Sequence, residues 1–145
     1  MRSLSDLITD IKTEIRTTPL STAAALTVLG AEITEKVENL IGTHQLFWKD
    51  LASSTVDTKR KKGWGKYGDP SSPLYATGEF EKSVSYRLVG KNAVMIFSEA
   101  ESAQYTEYGT SKMPPRPVFK PAAMIVLRQW IAKSRLQGFY LRSLR

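Results

Sequence analysis

The chain has 145 residues, 41% of them hydrophobic and 24% charged, and a formal net charge of +7. This is one domain's length with an ordinary globular composition, which excludes a disordered chain. It has no cysteine and one histidine, His44, which excludes a disulfide scaffold, a thiolate zinc site, a cysteine nucleophile and a multi-histidine metal site within one chain.

The charge is laid down in blocks. Residues 1–58 and 68–111 each carry three more acids than bases, whereas 59–67 hold five bases and 112–145 hold eight, with no acid in either. Such blocks attract copies of the same chain or a nucleic acid, unless they are only solvated surface. No apolar run approaches the roughly 20 residues of a membrane span. The first residues lack the apolar stretch of a secretory leader, so a cytosolic setting is expected.

Leu4, Leu7, Ile8, Ile11 and Ile15 form one stripe of an amphipathic helix, with Ser3 as its N-cap and Pro19 as its interruption. A second helix is expected from about Ser21 to Ser54. Its seam combines Leu26, Ile33, Leu40 and Phe47 with Gly30, Val37, His44 and Leu51, each row spaced by seven. Gly42 and Thr43 lower helix propensity midway and mark the place for a kink or break. Residues 55–76 read as a long basic loop, punctuated by glycine, proline and serine. Alternation in Val84, Tyr86 and Leu88, a turn at Gly90-Lys91-Asn92, and the run Ala93–Ser98 predict a hairpin. A lone hairpin is marginal, so a helix must cover its apolar face. Residues 105–117 are rich in glycine and proline. A final helix then starts near Phe119, with Pro121 in its first turn, and turns Ala123, Leu127, Trp130, Ile131 and Ser134 inward. Gly138 is expected to stop it, leaving 138–145 as an arm. The fold class is therefore α+β: long N-terminal helices and a C-terminal helix packed on a small antiparallel sheet, as one domain over 1–145.

Catalytic chemistry has little support. Glu79, Glu81 and Lys82 loosely suggest a metal-dependent nuclease but lack a further acid to hold magnesium. Glu99, Glu101 and Glu107 read as solvated acids rather than an acid–base pair. His44 reads as a packing residue on the seam or a pH-sensitive contact. The run Gly63–Gly68 has neither the strand before nor the helix after that a phosphate loop needs. Cations beside aromatics are more suggestive. Lys59, Arg60, Lys61, Lys62 and Lys66 with Trp64 and Tyr67 suit a phosphate backbone, an acidic neighbour or plain solvent.

One ordered constellation is more specific. It begins with Phe47-Trp48-Lys49-Asp50-Leu51, then Thr55, Lys59 and Ser72-Pro73-Leu74, leading into Thr77-Gly78-Glu79-Phe80 and Ser83. After the hairpin come Ala103-Gln104-Tyr105-Thr106-Glu107-Tyr108-Gly109-Thr110 and Met113-Pro114-Pro115-Arg116-Pro117-Val118-Phe119-Lys120-Pro121-Ala122. Across residues 44–125 this resembles the neck and tail-completion (head–tail joining) proteins of tailed bacteriophages. The first half is also similar to the virion morphogenesis proteins of Mu-like phages.

The resemblance implies a structural virion protein, not an enzyme, with no cofactor or metal. It would join the DNA-filled head to the tail, or complete the tail end, as part of a ring around the DNA channel. Its partners would be copies of itself and neighbouring head-closure, connector and tail proteins, with non-specific contact to channel DNA and none to membrane. It would reside in the virion neck, and in host cytoplasm during assembly. On this reading Lys59, Arg60, Lys61, Lys62, Trp64 and Lys66 face the channel or a partner. The family-motif or interface residues are Thr77, Gly78, Glu107, Tyr108, Gly109, Thr110, Met113, Pro114, Arg116 and Pro117. Thr77-Gly78 would turn the chain into the first strand. Glu107–Thr110 would leave the hairpin through a turn, Met113–Pro117 would be stiff and extended, and Arg116 would pair with a neighbour's carboxylate. The alternative is a small basic nucleic-acid-binding protein, recognised by tight binding that falls steeply with salt.

Overall fold

The computed structural model describes residues 3–17 and 22–143, with side chains over 3–13 and 22–133. Pro19, the side chains of Ile15 and Ser134, and Leu144 and Arg145 of the expected arm lie outside the described residues. Helix α1 spans Leu4–Thr17. Ser3 opens it reciprocally: its Oγ accepts from the Asp6 amide (3.2 Å), and its own amide donates to Asp6 Oδ2 (3.0 Å). Leu7 and Ile11 are buried.

Helix α2 spans Thr22–Leu40, so the expected 34-residue helix ends at its midpoint. Gly42 adopts φ +82° and donates its amide to the Pro73 carbonyl at 2.9 Å. That left-handed turn is open to glycine without strain and ends the helix. Leu26, Ile33, Gly30 and Val37 of the seam are buried, while Phe47 and His44 are exposed on a loop.

The expected loop over 55–76 is corrected in its first part. Helix α3 spans Ser53–Lys62 and ends at Gly63, in the left-handed region at φ +66°. Residues 53–62 contain no glycine or proline, and the four cations of the last turn oppose the negative end of the helix dipole. Thr77-Gly78 leads into a short helix rather than a strand: Gly78, at φ +85°, caps α4, Glu79–Lys82.

The hairpin forms as expected. Strand β1 (Val84–Val89) pairs antiparallel with β2 (Ala93–Ser98), Tyr86 opposite Ile96 and Leu88 opposite Val94. These residues share one face, which lies on α2. A Cβ on Gly30 would sit 2.6 Å from a Tyr86 ring carbon and 2.8 Å from a Val94 methyl, so glycine is what allows this approach. The other face carries Arg87 stacked 5.4 Å over Phe97.

Helix α5 spans Ser102–Tyr108, so the glycine- and proline-rich stretch begins only at Gly109. Helix α6 spans Phe119–Ser143. It starts where expected but runs through Gly138, because a glycine inside a helix costs only about 1 kcal/mol. The expected arm is therefore helical through Ser143. Ala122, Val126, Leu127 and Ile131 of α6 pack with Leu7, Ile11 and the α2 seam, and Phe80 and Val84 complete the core. The architecture is α+β, with six helices and a two-stranded sheet among the described residues. Among these residues no helix is long and apolar enough to cross a membrane. Between α1, the first half of α2, the hairpin turn and α6 lies an open cavity of about 580 Å³, walled mainly by Ile8, Leu26, Leu29, Ile33, Val94 and Leu127.

Candidate functional site

The basic cluster divides into cations turned inward and cations left outward. Lys59 is 6% exposed and donates its Nζ to the Ser72 carbonyl. Burial lowers its pKa, against an opposing pull from Asp69. Lys66 reaches back to the end of α2. Its Nζ donates to Glu81 Oε1 (2.6 Å), the Ile41 carbonyl (2.8 Å) and the Glu38 carbonyl (3.2 Å). It thereby satisfies carbonyls that the ending helix leaves open. Nearby, desolvation raises the Glu38 pKa, helped by Glu81 and Glu35 and opposed by Lys66. Neither Lys59 nor Lys66 is available to a channel or a partner, contrary to the sequence expectation. Chain separations of 13 and 15 to 28 residues put these contacts beyond local pattern reading.

Three cations of α3 remain outward. Arg60 pairs with Asp57 at 2.7 Å on an exposed face, and Lys61 is exposed. Lys62 lies 4.2 Å over the Trp64 ring, a cation–π contact of modest strength at the surface. The following turn, bridged between Lys66 and Asp69, lifts Tyr67 to 98% exposure at φ +55°. Asp69 fastens the turn by accepting from the Ser71 amide (2.8 Å) and hydroxyl (2.6 Å), and these bonds hold its carboxyl below the ordinary value of 3.8. His44 meets the same segment at Ser71 Oγ, 3.4 Å away.

The motif residues after the hairpin form an intramolecular joint. The Glu107 carboxylate accepts three amides at the start of α6: Val118 (2.9 Å) and Phe119 (3.2 Å) on Oε2, and Lys120 (3.2 Å) on Oε1. Glu107 thus serves as an N-cap supplied from α5, where charge and dipole reinforce each other. This corrects its reading as a solvated acid. Arg116 is 5% exposed; its amide donates to the Thr106 carbonyl at 2.7 Å and its Nη2 to the Lys49 carbonyl at 2.9 Å. It therefore does not offer its fork to a neighbour. Its buried Nε has no partner among the described residues.

Thr110 and Met113 close a tight loop, with the Thr110 amide bonding the Met113 carbonyl at 2.8 Å. A Cβ on Gly109 would lie 2.8 Å from the Pro115 nitrogen, so the strap passes directly over this glycine. Residues 114–118 belong to no helix or strand and lead directly into α6. Tyr108 (82% exposed), Thr110 and Pro114 face outward, Met113 and Pro117 are half-buried, and Thr77 is exposed beside the buried Gly78.

Sequence reasoning missed one more feature. The Trp48 amide donates to the Gln45 carbonyl at 3.0 Å, closing a four-residue turn with Leu46 and Phe47 at its two corners. Trp48 packs on the core, and the Arg116 bond to Lys49 holds the next residue. Leu46 and Phe47 are 97% and 98% exposed. The signal is two adjacent large apolar residues just past the Gly42-Thr43 break, inside the stretch expected to continue the helix, where Phe47 was assigned to the heptad seam.

The acids considered for catalysis do not assemble. Glu81 is held by Lys66, Glu79 is exposed, and among the described residues no three acidic, histidine or cysteine side chains are grouped so as to hold a metal ion. No family model, curated protein or solved structure matches the chain.

Proposed function

We propose that this is a structural virion protein of the head–tail joint. It sits in the neck after assembly in host cytoplasm, and acts as one subunit of a ring around the DNA channel rather than as an enzyme. The observation that carries the reading is the exposure of Leu46, Phe47, Tyr67 and Tyr108, each above 80%, the first three on hydrogen-bonded turns and Tyr108 at the end of α5. Large side chains projected from rigid turns are suited to docking, since little ordering entropy is lost on contact. The ordered motif that resembles the neck and tail-completion family supports the same reading. Its Glu107 and Arg116 hold α5, α6 and the projecting turn at fixed spacing.

Electron micrographs of lysates from a phage lacking this gene test the proposal. Full heads accumulating beside separate tails are expected. Normal infectious virions would overturn it.

The second reading, nucleic-acid binding, is favoured by one observation, the outward cluster of Arg60, Lys61 and Lys62 with Trp64. With Lys59 and Lys66 turned inward, about three phosphate contacts remain, for a slope of log affinity on log salt near −3 on duplex DNA. The expected binding through this cluster is therefore weak, and its salt slope falls to about −1 when Lys61 and Lys62 are replaced by glutamine.

A further inference from the structure

We infer that Leu46 and Phe47 of one copy seat in the apolar cavity between α1, α2, the hairpin turn and α6 of a second copy. The inference rests on the proposed ring and names the contact that would build it. The two surfaces lie toward opposite ends of α2. The turn follows its C-terminal end, and the cavity is walled by Leu26, Leu29 and Ile33 of its earlier part. A copy offering both ends makes a head-to-tail contact, which repeats until the rotation closes a ring.

Size favours this occupant. A cavity of roughly 150 Å³ accepts a benzene ring, so about 580 Å³ holds both side chains with their turn partly inserted. Charge favours it too. Among the described residues the cavity's one charged wall residue is Lys12, and the projecting turn is followed by the exposed carboxylate of Asp50. The turn is already closed by its own hydrogen bond, so it enters as a formed anchor, the kind of residue pair that dominates an interface.

The chain has no cysteine, so two introduced thiols report the contact without background. Gln45→Cys sits beside an intact Leu46–Phe47 pair, and Asn92→Cys lies on the cavity wall. Mixed at millimolar full-length chain with a short bis-maleimide, the two variants should give a Gln45–Asn92 heterodimer. A chain carrying both should give a ladder of higher multimers. Adding Phe47→Asp to the Gln45→Cys chain should lower the yield at least about tenfold, with circular dichroism unchanged because Phe47 is exposed. No mixed product, or one indifferent to Phe47→Asp, would overturn the contact. The joining role would stand or fall separately on the gene-deletion micrographs.

Discussion

The two halves of the heptad seam have the same spacing and opposite fates. Ile33 and Val37 are 4% and 0% exposed on α2, whereas Phe47, fourteen residues after Ile33 on the same row, is 98% exposed on a loop. Spacing alone does not bury a side chain; a covering surface does. The first half meets α6 and the hairpin. Past Leu40 the left-handed Gly42 redirects the chain, and Lys66 occupies the freed carbonyls from outside the helix. Leu46 and Phe47, beyond that point, are released from the core and become a surface feature.

Removing the lysine that finishes α2 tests the comparison hardest. Lys66→Met leaves Glu81 and the α2 carbonyls without their shared partner in a mostly buried setting. A loss of about 3–5 kcal/mol in urea unfolding is expected. Next come matched truncations in the two halves of the seam. Ile33→Ala should cost about 3 kcal/mol through the cavity it opens, while Phe47→Ala should stay within about 0.5 kcal/mol. Equal costs would mean that the second half is buried after all. Glu107→Ala removes the cap on α6 and should cost about 1–2 kcal/mol, with Glu107→Gln recovering part of it.

The smallest effect concerns the turn that faces His44. Asp69 has its carboxyl lowered in the folded chain, so its contribution is complete above its ordinary value of 3.8 and is lost as pH falls through the lower folded value. The stability difference between the native chain and Asp69→Asn should therefore shrink below pH 3.8. A difference that grows on acidification would mean the carboxyl is not held by Ser71.

Local signals account for what was legible beforehand. The capping pattern at Ser3, the hairpin with its Gly90–Asn92 turn and the start of α6 near Phe119 all depend on neighbours within a few residues. Helix α3 escaped notice because Ser53–Lys62 has almost no apolar face; it is held by its ends and by Lys59. The site was less legible because its charges are defined by distant partners. Lys59, Lys66, Arg116 and Glu107 read as outward-facing, and each is taken up by carbonyls, a carboxylate or amides from another part of the chain. A cation's residue type says it must be satisfied, not whether water or protein does it.

The bond from Trp130 Nε1 to Glu32 Oε2 spans 98 residues, and α6 supplies Val118, Ala122, Val126 and Ile131 to a core begun by α1 and α2. During synthesis, Leu7, Leu26 and Ile33 therefore emerge without the cover of α6 until the chain has grown past Ile131. At ribosomal speeds that interval is on the order of 5–20 seconds. The nascent protein spends it with part of its apolar seam open, dependent on chaperones or on speed, and a chain cut short before α6 would leave that seam without its last cover.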